Sequence, residues 1–206
     1  MLHLFIEKGW KQPFKKDLHK MKIVFGTNNK HKIYEVNEIS KNSGVEFILP
    51  PSGYAPDETG KDFEENAIIK SKAGAILSKM PCLSDDSGLC VEALNGAPGI
   101  YSARYAESQD DRINRLITEL NGIKNRRAKF VCCMCLTDET GKVIRITKGE
   151  CEGNIIFEQR GLNGFGYDPI FLPLGSELTL AQMSDAEKNK ISHRGNALRA
   201  MLKFII

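Results

Sequence analysis

The sequence predicts an α/β protein, and three observations lead there. Strand-like and helix-like stretches alternate along the chain. A length of 206 residues with 41% hydrophobic content suits one domain or two tightly joined lobes. No internal repeat or low-complexity segment interrupts the alternation.

Residues 22–26 read as a first strand, and a helix over about residues 30–43, with Ile33, Val36 and Ile39 on one face, closes at Gly44. Residues 45–49 form a second strand, and the prolines and glycines of 50–60 form a loop. Asp62 followed by Glu65 is the capping signature of a helix reaching about Lys79. Pro81, Cys82 and Leu83 read as a short buried strand that Ser87-Gly88 then breaks. Ser108 caps a helix through Leu120, which Asn121-Gly122 stops. Residues 128–137 and 142–151 pair as a hairpin around Glu139-Thr140-Gly141, expected to form most of a second lobe and to carry little catalytic chemistry. A glycine-rich stretch, 161–166, leads into Tyr167-Asp168-Pro169-Ile170-Phe171, and Ser184 with Glu187 opens a helical carboxyl end.

The formal charge of +3 is concentrated at the start. Residues 1–20 hold five lysines against Glu7 and Asp17, leaving 24 basic and 24 acidic residues beyond them. A neutral body argues against a general nucleic-acid-binding surface. Met21, directly before the first strand, reads as a natural start, with residues 1–20 an extension and 21–206 a single two-lobed domain. Leu4-Phe5-Ile6 is too short for a signal peptide, and no segment approaches transmembrane length, so the expectation is a cytoplasmic protein without a membrane partner. Six cysteines sit in apolar or strand-like settings. The C-x-x-C within Cys132-Cys133-Met134-Cys135 lacks a second ligand pair at zinc spacing, so these read as buried reduced thiols.

The chemistry gathers in loops. Asp85-Asp86 stands where a strand opens, and adjacent side chains of an extended segment point to opposite faces. One aspartate therefore faces a site while the other fixes the loop or a neighbouring cation; Asp86, beside the turn, is the candidate for polarising a water and holding a metal. The first strand-to-helix turn, Gly26-Thr27-Asn28-Asn29-Lys30-His31-Lys32, offers backbone N–H groups, polar side chains and two lysines to phosphate oxygens, and equally serves as a polar helix start. It matches neither a Walker A loop nor G-x-G-x-x-G. Asp57 and Glu58 precede a helix on which Asn66 and Lys70, four residues apart, share a face directed at the aspartate pair. Glu65 is explained by its capping role alone. Oxygen donors of this kind suit Mg²⁺. Gly164-Phe165-Gly166-Tyr167-Asp168 sets an aromatic between glycines, on which a base can lie flat with Asp168 beside it; Ser192-His193-Arg194 and Lys188 supply donors for a base edge or phosphate.

Together the stretches Thr27-x-Asn29-x-x-Lys32, Glu58-Thr59-Gly60 with Phe63-x-Glu65-Asn66-Ala67, Ser84-Asp85-Asp86-Ser87-Gly88-Leu89, Gly96 through Tyr105, Gly164 through Pro169, and Ile191-Ser192-His193-Arg194-Gly195 occur in the order found in one family. The chain from Met21 onward resembles the inosine triphosphate pyrophosphatase family, the Ham1 or RdgB-like nucleoside triphosphatases of non-standard purines. Gln182, where the family usually has an acidic residue, and residues 1–20 depart from the pattern. The resemblance implies an elongated mixed β-sheet flanked by helices, with two lobes around a central nucleotide cleft. It also implies hydrolysis of ITP, dITP and XTP to the monophosphate and pyrophosphate, with Mg²⁺ and as a homodimer. Asp86 would be the catalytic acid/base and, with Asp57 or Glu58, a metal ligand. Thr27, Asn28, Asn29, Lys30, His31, Lys32, Lys70, Ser87 and Lys188 would cradle the triphosphate. Phe165 would stack on the base, Gly166 and Tyr167 would be further substrate-binding positions, and Asp168, His193 and Arg194 would read the base edge. A pyrophosphatase for modified pyrimidine triphosphates and a non-catalytic nucleotide-binding regulator are the competing readings.

Overall fold

The structure is a computed structural model and describes residues 20–206. The amino-terminal extension lies, but for Lys20, outside the described residues.

Six strands form one sheet in the order β2-β1-β3-β4-β5-β6. Met21–Phe25 (β1) pairs in parallel with Val45–Ile48 (β2) and with Cys82–Val91 (β3). From β3 onward the sheet is antiparallel, through Arg127–Thr137 (β4), Val143–Ile155 (β5) and the short Phe171–Pro173 (β6). The expected α/β class with a mixed, helix-flanked sheet is therefore found. β3 is the strand at which the two halves meet. Its pairing with β1 ends at Phe25↔Leu83, while its pairing with β4 continues from Cys82↔Thr137 to Val91↔Ala128. The edge of β3 beyond Leu83 is thus left open beside the end of a parallel strand, the usual position of a ligand crevice in such sheets.

That continuous pairing corrects the expected strand break. Ser87-Gly88 lies inside a ten-residue strand, and Gly88 is small for a different reason. A Cβ there would stand 2.3 Å from the Gly99 carbonyl and 2.5 Å from Ser102 Oγ, atoms of the 3₁₀ turn Gly99–Arg104. Glycine in this strand marks a close approach of another backbone.

The helices start where their caps predict. Lys30–Ser40 (α1) is capped by Asn29, whose side chain accepts from His31 N and Lys32 N. Phe63–Ser78 (α2) is capped by Asp62, while Glu65 Oε2 accepts from Lys61 N, and Gln109–Glu119 (α3) begins with a Ser108–Asp111 capping box. The carboxyl end is two helices. Ser184 and Glu187 cap Asp185–Ile191 (α4), and Ser192, extended at ψ 151°, caps His193–Ile205 (α5) by accepting from Gly195 N. The second cap was unread because a serine inside a helical stretch carries no local signal of a break.

Among the described residues two large buried clusters hold the sheet, and two smaller ones pack Ala67 and Ala75 of α2 against it. Of the large pair, one joins Ile23, Phe25 and Leu83 to Leu198 and Met201 of α5; the other joins Leu89 and Ile155 to Ile113 and Leu116 of α3. The β4–β5 pair contributes to both, with Met134 and Leu136 in the first and Phe130 and Cys151 in the second. The hairpin is the spine of the sheet.

Candidate functional site

The open edge of β3 forms the floor of a cleft of 540 Å³, within the range of small-molecule sites. Its walls are the β1–α1 turn, the loop before α2, the 3₁₀ turn Gly99–Arg104 with the start of α3, the loop 165–168, and the start of α5. All but two of the site residues expected from sequence line it. Lys30 and Asp57 are exposed and do not: Lys30, two residues before Lys32 on α1, is off the face that Lys32 presents, and it is Glu58 that stands in the cleft beside Lys70.

Alternation along β3 sends Asp86 toward α2. There Lys70 Nζ donates to Asp86 Oδ1 at 2.7 Å and Asn66 Nδ2 to Asp86 Oδ2 at 3.2 Å, so the four-residue spacing on α2 delivers both groups as anticipated. Asn66 Oδ1 in turn accepts from Gly60 N at 2.8 Å, tethering the loop that carries Glu58, and Glu58 Oε1 lies 3.2 Å from Lys70 Nζ. Burial raises the Asp86 carboxyl above its ordinary range, with Lys70 pulling the other way. Burial also acts against the charge of Lys70, but Asp86, Asp85 and Glu58 outweigh it, so this ammonium is held firmly protonated.

Asp85 points to the opposite face and is fully enclosed. It accepts from Lys32 Nζ at 3.0 Å, Ser87 Oγ at 3.1 Å, and Arg194 Nε and Nη2 at 3.2 and 3.0 Å. Arg194 Nη1 donates to Glu35 of α1, whose other oxygen takes Lys188 Nζ at 2.7 Å. Lys188 Nζ also donates to Asp168 Oδ2 at 2.7 Å. Three cations and three carboxylates thus alternate from Lys32 to Asp168. Burial pushes Asp85 up, but Lys32 and Arg194 together overwhelm it and hold the carboxyl far below the usual range.

Glu35 is the functional-region residue that sequence reasoning missed. It lies three positions after Lys32, on the same helical face, and that spacing was the available signal. Glu35 is not itself a lining residue; Phe130, Gln109 and Arg104 do line the cleft, and sequence reasoning assigned them no role.

At the far end, Gly164 at φ +73° and Gly166 at φ +65° hold Phe165 in a turn few other residues adopt. Asp168 Oδ2 accepts from Phe165 N at 2.8 Å and Gln109 Oε1 from Gly166 N at 2.7 Å, fixing the loop from both sides. The Phe165 ring stacks on His31 at 5.4 Å, with Lys188 Nζ 4.9 Å from its centre. His193 lies parallel to Phe130 at 4.7 Å, and its buried Nδ1 has no hydrogen-bond partner. Burial, then the Arg194 and Lys188 charges, keep this imidazole neutral. A neutral imidazole offers one donor and one acceptor.

At the near end, Asn29 caps α1, Thr27 Oγ1 accepts from Asn29 N at 3.1 Å, and Asn28 Nδ2 donates to the Tyr54 carbonyl at 2.9 Å. The turn is both an ordinary helix start and a cluster of donors facing the cleft.

Among the described residues no three His, Cys, Asp or Glu side chains cluster as a complete metal site. Glu58 and Asp86 nevertheless converge on one point, the Lys70 ammonium. Two carboxylates with open positions for water and phosphate oxygens are the donor set that Mg²⁺ takes, so the residues fit that ion.

Comparison with known proteins follows the same outline. The family model described as the Ham1 family matches residues 23–204. A Treponema denticola protein named dITP/XTP pyrophosphatase is 44% identical over 200 residues, covering 90% of this chain and 98% of that protein. Among solved structures, a HAM1 protein from Coxiella burnetii aligns with TM-score 0.81 at 38% identity, covering 90% of this chain and 98% of its own. The Staphylococcus aureus Ham1 protein aligns with TM-score 0.79 at 40% identity, covering 89% and 97%. The chain belongs to the Ham1 family.

Proposed function

We propose that this member of the Ham1 family is a nucleoside triphosphate pyrophosphatase that hydrolyses deaminated purine nucleotides, ITP, dITP and XTP, to the monophosphate and pyrophosphate. One observation carries the reading: the Asp86 carboxylate, bonded by Lys70 and Asn66, is presented at an open strand edge between a donor-rich helix start and an aromatic niche. The names of the relatives support it.

In this reading the triphosphate lies along residues 27–32 and Lys70, and the base beside Phe165 and His193. Asp86 takes the proton of a water as that water attacks the α-phosphorus. The bond from the α-phosphorus to its bridging oxygen breaks, and the electron pair leaves with pyrophosphate. A carboxylate raised by burial is a better base than a solvated one, and Lys70 offsets charge on the departing group. Asp86 and Glu58 would hold Mg²⁺, which supplies Lewis acidity at phosphate oxygens. His193, neutral and with Nδ1 unpartnered, offers the base edge a donor or an acceptor, while the neighbouring Arg194 is tied into the ion chain through Asp85. We further propose that residues 21–206 form one two-lobed catalytic domain acting as a cytoplasmic homodimer; no helix among the described residues is long and apolar enough to cross a membrane.

The test is a pyrophosphate-release assay with ITP, XTP, GTP, ATP and dUTP, with and without Mg²⁺. Release from ITP and XTP in preference to GTP and ATP is expected. Preference for dUTP, or tight ITP binding without turnover, would sink the reading.

A further inference from the structure

The motif Gly96 through Tyr105 contains a charged residue to which no role has been given, Arg104. Its position is set by the backbone. The 3₁₀ turn Gly99–Arg104 is pressed onto β3 at Gly88, two residues beyond Asp86, and Ser102 Oγ accepts from Leu89 N at 2.9 Å while donating to the Gly99 carbonyl. Arg112 Nη1 donates to the Ala103 carbonyl at 2.9 Å and braces the turn. Arg104 therefore stands on the wall facing Lys70 and Glu58, at a fixed offset from the candidate general base.

Of the cleft cations that pair with carboxylates, Arg104 is the most loosely held. Lys32, Lys70, Lys188 and Arg194 are each held by enclosed carboxylates at 3.0 Å or closer. Arg104 Nη1 lies 3.6 Å from Glu58 Oε2, its guanidinium carbon stands 5.4 Å from the centre of the Tyr101 ring, and 48% of its side chain is exposed. That Glu58 is already shared with Lys70. An exposed pair of this length is weak and readily exchanged, whereas the enclosed pairs resist separation. A nucleoside triphosphate brings several negative charges to this end of the cleft, and the guanidinium fork matches a phosphate group.

We propose that Arg104 is a substrate-phosphate contact, released from Glu58 to bind the triphosphate and its pyrophosphate product. The assignment rests on the pyrophosphatase reading above. It is tested on the full chain by calorimetric binding of inorganic pyrophosphate and of inosine monophosphate, in magnesium buffer, to the wild type, Arg104→Gln and Arg104→Lys, with melting temperature as the control for folding. Arg104→Gln is expected to weaken pyrophosphate about tenfold, the size of one charge-assisted hydrogen bond, to leave the monophosphate unchanged, and to be partly rescued in Arg104→Lys. Unchanged pyrophosphate affinity in folded Arg104→Gln, or equal weakening of both ligands, would overturn the assignment. A cycle with Glu58→Gln separates contact from charge balance. If Arg104 touches phosphate, its loss still weakens pyrophosphate in the Glu58→Gln background; if it merely neutralises Glu58, the effect vanishes and the proposal falls. Wild-type protein that binds pyrophosphate through Arg104 yet turns over no purine triphosphate would instead remove the pyrophosphatase reading.

Discussion

On one face of β3, Asp85 is closed in by Lys32, Ser87 and Arg194; on the other, one residue along, Asp86 meets Asn66, Lys70 and the open cleft. Both carboxylates are almost removed from solvent, so exposure does not separate them. The number of cations does. Asp85 is bonded by two and held far below its ordinary pKa, while Asp86 is bonded by one that does not match its desolvation, and it is raised. The same side chain on one strand becomes a fixed anion or a proton acceptor according to how completely its burial is offset.

The sharpest way to break that contrast is Asp86→Asn. Turnover is expected to fall by roughly 10²–10⁴, the usual contribution of general acid–base catalysis, with the melting temperature near that of the wild type. Near-normal kcat in a folded variant would remove Asp86 from its role. Asp85→Asn should do the reverse, leaving Arg194 and Lys32 enclosed with too little negative charge and lowering stability by about 3–5 kcal/mol in urea denaturation. A normal unfolding midpoint would show that the Asp85 face is not the structural one.

pH separates the pair without mutation. Ionised Asp85 stabilises the fold at all pH above its unfolded value, near 3.9, and that contribution is lost only as pH falls through its depressed native value. Asp86, raised, has the opposite sign: its ionisation costs stability as pH rises through its native value, and below that value it is protonated and no longer a base. The acid limb of kcat/KM should therefore lie above the ordinary aspartate range, at a pH where circular dichroism still reports a folded chain. Lys70→Met should move the limb further up, because Lys70 pulls Asp86 down. Coincident loss of activity and fold would refute this.

A smaller effect is expected on the open side alone. Gln109→Ala removes the acceptor for Gly166 N and should raise KM for ITP about two- to tenfold with kcat little changed, the scale of one neutral hydrogen bond. An unchanged KM would show that Asp168 alone holds the Phe165 loop.

What could be read in advance was local. Asp62 with Glu65, Ser108, and Ser184 with Glu187 marked helix starts because a cap and its partner lie within one turn. Asn66 and Lys70 could be aimed at Asp86 because helical spacing fixes their common face. Gly88 was misread as a strand end, since glycine breaks a strand or admits a neighbour with equal economy of sequence, and the neighbour is Gly99–Ser102 of a later turn. Lys30 was grouped with Lys32 by sequence adjacency, although residues two apart on a helix do not share a face.

By itself, then, the sequence determined the α/β alternation, the capped helices, the opposed faces of Asp85 and Asp86, and the six ordered motifs that carry family membership. Each depends on periodicity or on neighbours within a few positions. Only the tertiary structure decided that Arg194 and Lys188 close onto Asp85 and Glu35, that Glu58 and not Asp57 enters the cleft, and that Arg104 faces them from the opposite wall. Glu35 and Lys188 are 153 positions apart. Pairing at that distance is set by which helix faces pack against the sheet, and the charge state of each carboxylate follows from the company that packing brings.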